Sequence, residues 1–135
     1  MINLVKDKGG VTLLETMMAV FVFMIGVGSI LSVELQGMSS GLKASNTYTA
    51  YNIGKNRVER LKALTFNLLS SSNETATLVD QYGSPDPNGP YSRSTAIATN
   101  YQNNSHLTQV AVSVTYTWKG VTSAPTTLTD RKSVV

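Results

Sequence analysis

The sequence predicts an α+β fold: a long N-terminal α-helix, membrane-spanning in its first half and amphipathic in its second, packed on a small antiparallel β-sheet. Three observations carry this. From Thr16 to Val33, 18 consecutive residues bear no charge, which is about 27 Å of helix against the roughly 30 Å of bilayer hydrocarbon. Farther on, Tyr48, Tyr51, Val58, Leu61, Leu64 and Leu68 recur at spacings of three, four or seven and draw one apolar stripe. Near the end of the chain, Val110, Val112, Val114, Tyr116 and Trp118 alternate with Ala111, Ser113, Thr115 and Thr117, the period of a half-buried strand.

The flank of the apolar run sets its orientation. Lys6 and Lys8 precede it with only Asp7 against them, so the N-terminus is expected on the cytoplasmic side and the bulk of the chain outside. The 135 residues suit one domain plus an anchoring segment, and the formal net charge of +3 is modest. There are no cysteines, hence no disulfide, thiolate metal site or thiol nucleophile.

The two helical patterns join into one predicted helix from about residue 11 to about residue 66, roughly 80 Å by rise. Lys55, Arg57, Glu59, Arg60 and Lys62 fall mostly on its other faces. Gly26, Gly28, Gly37, Gly41 and Gly54 interrupt it, each costing a helix up to about 1 kcal/mol relative to alanine. The Gly26 to Ser29 stretch is the weakest; loosening during subunit packing and close helix contact within the membrane both account for it. From Ser70 to about Tyr91 the composition turns to Ser, Asn, Gly and Pro, and "GSPDPNGP" reads as a turn-rich loop. Ser94 to Tyr101 is a weaker first strand, and Val110 to Trp118 is the best strand. Lys119-Gly120 turns the chain into another strand from about Val121 to Thr129.

Glu15 poses the sharper question, because a carboxylate near the end of a membrane helix costs roughly 1–3 kcal/mol. A secretory signal peptide would be cut after its apolar core at a small-x-small site; "SVELQGMSS" matches that poorly, and Glu15 lies inside the core. An uncleaved anchor explains the length of the run but neither the glycine pair nor Glu15. The segment "KGGVTLLE" with the apolar run behind it resembles the class III leader of type IV prepilins. The resemblance implies cleavage between Gly10 and Val11 by a membrane-embedded prepilin peptidase, followed by N-methylation of Val11. It also implies that Glu15, the fifth mature residue, pairs with the α-amino group of an adjoining subunit. Two charges about 4 Å apart attract by several kcal/mol at an effective dielectric of 20, enough to offset much of the insertion cost. A glycine before the scissile bond suits a narrow site, since it has no Cβ. The usual first mature residue of the family is Phe, and here it is Val11.

Within that family, "NRVERLKALTFNLL" and the ending "VAVSVTYTWKG…TLTDRK" are similar to PilV-type minor pilins and to the minor pseudopilin I of type II secretion. Many major pilins close their C-terminal region with a disulfide, which this chain cannot form. The resemblance therefore implies a minor subunit, held in the bacterial inner membrane before assembly and in a filament or the periplasm afterwards. Its partners would be the prepilin peptidase, other pilin or pseudopilin subunits, the inner membrane and the assembly platform proteins. The expected divisions are a leader over 1–10, the membrane and assembly half of the helix over 11–34, its amphipathic half over 35–66, and the rest of the globular head over 67–135. The rival from another class is a membrane-anchored or tip-borne binding module for DNA or a surface, which needs neither Gly10 nor Glu15.

Other candidate chemistry has an ordinary reading beside it. His106 lies in the polar run "QNNSH" and reads as a solvated loop residue. Asp80, Asp86 and Asn88 offer oxygen ligands, but Asp-Pro-Asn-Gly is turn chemistry and the spacing matches no calcium loop. Lys55, Arg57, Arg60 and Lys62 form a basic patch; a solvated helix face or subunit contact stands ahead of DNA because Glu59 interrupts it. Asn73-Glu74-Thr75 and Asn103-Asn104-Ser105 are glycosylation sequons of a kind common by chance. No histidine has a partner for nucleophilic catalysis, so neither an enzymatic activity nor a cofactor is expected.

Overall fold

The computed structural model describes residues 12–133. The positions expected to be cleaved and methylated, Gly10 and Val11, lie outside the described residues. Helix α1 runs over Leu13–Ala63, followed by the short α2 (Phe66–Leu69) and a 3-10 turn at Ser70–Ser72. The strands are β1 (Glu74–Val79), β2 (Tyr91–Ala98), β3 (Leu107–Trp118), β4 (Val121–Thr122) and β5 (Thr126–Ser133). All pairings are antiparallel: β1 with β2, β2 with β3, and β3 on its other edge with β5 and, at its end, β4. This is the expected α+β layout of a long N-terminal helix on an antiparallel sheet.

The chain divides into two compact units, with the boundary between Ser40 and Gly41. In the first, the described residues are helix alone. It starts at a cap: Thr12 Oγ1 accepts the Glu15 N–H at 3.2 Å, satisfying one of the donors that a first helical turn leaves open. The span is long and apolar enough to cross a membrane, with a mean hydropathy of 2.2 over 18 residues and none of that window buried. Its large apolar side chains are 39% (Val27) to 82% (Leu13) exposed, so no side of it has cover within its own unit. Its three hydroxyls bond back to the helix, Thr16 to the Thr12 carbonyl, Ser29 to Ile25 and Ser32 to Gly28. A hydroxyl satisfied inside its own helix does not bring an open polar group into hydrocarbon.

In the second unit, residues of α1 after Gly41 cover one face of the sheet. Ala50, Ile53, Val58 and Leu61 of the helix meet Val79, Tyr91, Val110, Val112, Val114 and Tyr116 of the strands, and Leu69 of α2 joins them. The alternation read in β3 is what the structure shows: its even-numbered residues from Thr108 to Tyr116 are all buried. The helical stripe needs correction. Val58 and Leu61 point inward and Leu64 packs at the core's margin, but Tyr48, Tyr51 and Leu68 are 68%, 46% and 55% exposed. The inward positions of those turns are Ala50, Ile53 and Gly54. The reason is proximity: a Cβ on Gly54 would stand 2.7 Å from Leu128 Cδ1, so helix and sheet meet over small residues and the large aromatic rings turn outward.

Helix α1 also stops earlier than its predicted end near residue 66. Thr65 is extended (φ −67, ψ 151), and the Lys132 ammonium donates to the Lys62 and Leu64 carbonyls, placing a cation at the open C-terminal end. The predicted loop from Ser70 to Tyr91 contains β1. That strand is irregular: its register shifts between Glu74 and Thr77, and Ala76 has φ +46. The strand expected at Ser94 to Tyr101 begins earlier, at Tyr91, and is second in the sheet. The strand expected from Val121 to Thr129 is split, because the backbone between β4 and β5 folds back on β3. The Ser123 N–H donates to the Tyr116 carbonyl at 2.8 Å, and Ser123 Oγ accepts the Tyr116 N–H at 3.1 Å. The turn at Lys119-Gly120 is present, with both residues in the left-handed region (φ +50 and +77) that a two-residue hairpin requires. In the Asp80 to Pro90 connection, Gly89 is obligatory: a Cβ there would lie 2.2 Å from the Val79 carbonyl oxygen.

Candidate functional site

Glu15 is the expected assembly residue that falls within the described chain. It is exposed and sits in the first turn of α1, where the helix dipole favours a carboxylate. Its own backbone N–H is held by Thr12. The helix thus supplies part of what offsets the insertion cost, a local contribution that the hydropathy pattern does not reveal. "T-x-x-E" at the helix start was the available signal.

The second unit is organised by a polar cluster that sequence reasoning missed. Glu74, the first residue of β1, accepts two hydrogen bonds from the Arg93 guanidinium, Nε to Oε2 and Nη2 to Oε1, each at 3.0 Å. Thr95 Oγ1 donates to Oε2 at 3.0 Å, and Arg57 Nη2 of the helix lies 3.0 Å from Oε1. Arg93 Nη1 donates to the Gly83 carbonyl at 2.7 Å, tying the Asp80–Pro90 connection to the same centre. One carboxylate therefore joins the helix, two strands and a loop. Burial pushes the Glu74 carboxyl up, but the hydrogen bonds from Arg93 and Thr95 and the two positive charges outweigh it and hold it below its ordinary range. Arg57 behaves oppositely. Burial pushes its guanidinium down, Glu74 offsets this only in part, and Arg93 and Arg60 add repulsion. The two directions agree once the charges are counted: three guanidiniums surround one carboxylate. The cue in the sequence was Arg93 between Tyr91 and Thr95 at inward strand parity.

The basic patch resolves into pairs. Lys55 faces Glu59 at 3.9 Å, Arg57 turns to Glu74, and Lys62 reaches Asp130 Oδ2 at 2.8 Å. The bond to Asp130 pushes the Lys62 ammonium up and holds the Asp130 carboxyl down. Arg60 alone of the four has no carboxylate within ion-pair distance among the described residues.

The remaining candidates fall where turn chemistry puts them. Asp80 Oδ1 accepts the N–H groups of Tyr82 and Ser84 at 2.9 and 2.8 Å, and Asp86 Oδ1 accepts that of Asn88 at 2.9 Å. Among the described residues no group of three His, Cys, Asp or Glu side chains comes together to hold a metal. His106 is exposed in the loop before β3. Of the two sequon asparagines, Asn73 uses both ends of its amide, donating to Ser70 and accepting from the Ile97 N–H, while Asn103 is exposed.

At the membrane-proximal edge of this unit, two tyrosines hold the sheet to the helix. Tyr91 and Tyr116 are cross-strand partners whose rings meet edge to face at 6.3 Å. Tyr116 Oη bonds with Thr47 Oγ1 and the Lys43 carbonyl, and Tyr91 Oη donates to Asn46 Oδ1. Comparison with protein-family models, with curated proteins and with solved structures found no match.

Proposed function

We propose that this chain is a structural subunit of a type IV pilus or a related filament, a minor pilin, cut after Gly10, N-methylated at Val11 and assembled through its N-terminal helix. One observation carries the reading most: Gly10, Val11 and Glu15 stand at fixed offsets immediately before an apolar helix whose side chains are uncovered all round. A singly anchored receptor needs only the apolar run. A filament uses the uncovered faces for helix contacts and Glu15 for the amino group of a neighbour. The fold layout, a helix that leaves the apolar span and continues into a sheet-covering segment, suits a subunit that presents its head beside a helical bundle. In this reading the peptidase, sister subunits and assembly platform are its partners, and the inner membrane is its site before assembly. A pseudopilin of a type II secretion or competence apparatus fits the same residues, and neighbouring genes distinguish the machines.

The test separates the two accounts of Glu15. With pairing, Glu15→Ala still inserts and is still processed at Gly10, but mature subunit accumulates in the inner membrane and is missing from sheared fibres. Glu15→Asp falls between. If Glu15 served only its own helix, Glu15→Ala would enter fibres as wild type does, and the pairing role would be wrong.

A further inference from the structure

The guanidinium cluster is not closed by Glu74. On its open side, Asn56, Arg57, Arg60, Tyr82 and Arg93 border a cleft floored by Ile53 and Gly83, with room for about one water-sized atom, about 10 Å³. Three guanidinium charges face one carboxylate there, since Arg60 brings no counter-charge of its own. The carboxylate's oxygens are already committed to Arg57, Arg93 and Thr95. Arg57 adds a specific demand: its Nε is buried and has no hydrogen-bond partner among the described residues. A buried charged donor left unpaired is unfavourable, and the neighbouring positive charges make a neutral or cationic occupant a poor match.

We propose that this cleft is an oxyanion site that takes one oxygen of a phosphate or carboxylate group between Arg57 and Arg60. The oxygen would accept from Arg57 Nε, with Arg60, exposed and without a carboxylate partner, closing over it from the rim. Guanidinium geometry suits this, because a planar fork presents parallel N–H groups to two oxygens of one anion. Tyr82, 73% exposed, stands at the mouth with its hydroxyl available as a further donor. The site is independent of the filament reading, for it uses none of the residues that reading assigns.

The test uses the full chain in a non-ionic detergent, labelled with ¹⁵N-arginine. Inorganic phosphate and acetate are titrated separately at constant ionic strength, with chloride as the balancing anion. A saturable shift of the Arg57 Nε–H resonance with either anion is the expected result; phosphate alone marks a phosphoryl group as the fitting source, and acetate a carboxylate. Arg60→Gln, an exposed change outside the Glu74 bonds, should weaken that binding about tenfold, the loss of one charge-assisted contact. An Arg57 resonance that stays put, that moves equally with chloride, or that titrates unchanged in Arg60→Gln overturns the proposal.

Discussion

Arg57 Nη2 stands 3.0 Å from Glu74 Oε1, and through that contact α1 is tied to the first strand of the sheet. Glu74 also receives Arg93 and Thr95, so its negative charge is what lets two arginines turn inward at all.

The first prediction concerns that charge. Glu74→Gln should destabilise the head by about 2–3 kcal/mol, somewhat less than breaking a fully buried pair, because a fifth of the Arg57 and Glu74 side chains still meets water. Thermal unfolding of the full chain in detergent, followed by near-ultraviolet circular dichroism, measures it. The pH dependence has a definite sign. The folded-state Glu74 carboxyl is held below its ordinary 4.5, so its contribution is present above about that pH and is lost as the pH falls through the lower folded value. Wild type should lose stability on acidification more steeply than Glu74→Gln does.

A second prediction tests the covered face of β3. Val112 has no exposed surface, whereas Thr115 lies on the opposite face. Val112→Asp should cost about 3–5 kcal/mol by burying an unpaired carboxylate, and Thr115→Asp no more than about 0.5 kcal/mol. Equal losses in the same melts would show that the assigned face is wrong.

β3 was legible in the sequence because its inward residues are apolar. The other strands were not, for the same physical reason in reverse. β2 turns Arg93 and Thr95 inward beside Tyr91, and β5 half-buries Asp130 and Lys132, which engage Lys62 and the end of α1. Inward polar residues that find partners across the interface erase the alternation on which strand reading depends. On the helix, Ala50 and Gly54 were passed over because close packing selects small residues, whereas a stripe sought by hydropathy follows Tyr48 and Tyr51. Glu15 was legible from its offset to Gly10, but Thr12 as its cap emerged only from the helix start.

Thr108 provides a third prediction. It is fully buried on β3, and its hydroxyl has no hydrogen-bond partner. Thr108→Val keeps the shape and removes the open polar group, so it should raise stability by about 1 kcal/mol. A loss of stability would mean that the hydroxyl is satisfied in solution.

The most direct measurement of the central claim is the mass of the chain recovered from its native membrane. The prepilin reading predicts a chain that begins at Val11, lacks residues 1–10 and carries one additional methyl group on its amino terminus. Replacing Gly10 with a bulky residue should leave the leader attached, whereas Gly10→Ala should be tolerated or only slowed. An unprocessed chain in a host with an active prepilin peptidase, or a mature terminus downstream of Val33, would contradict the account.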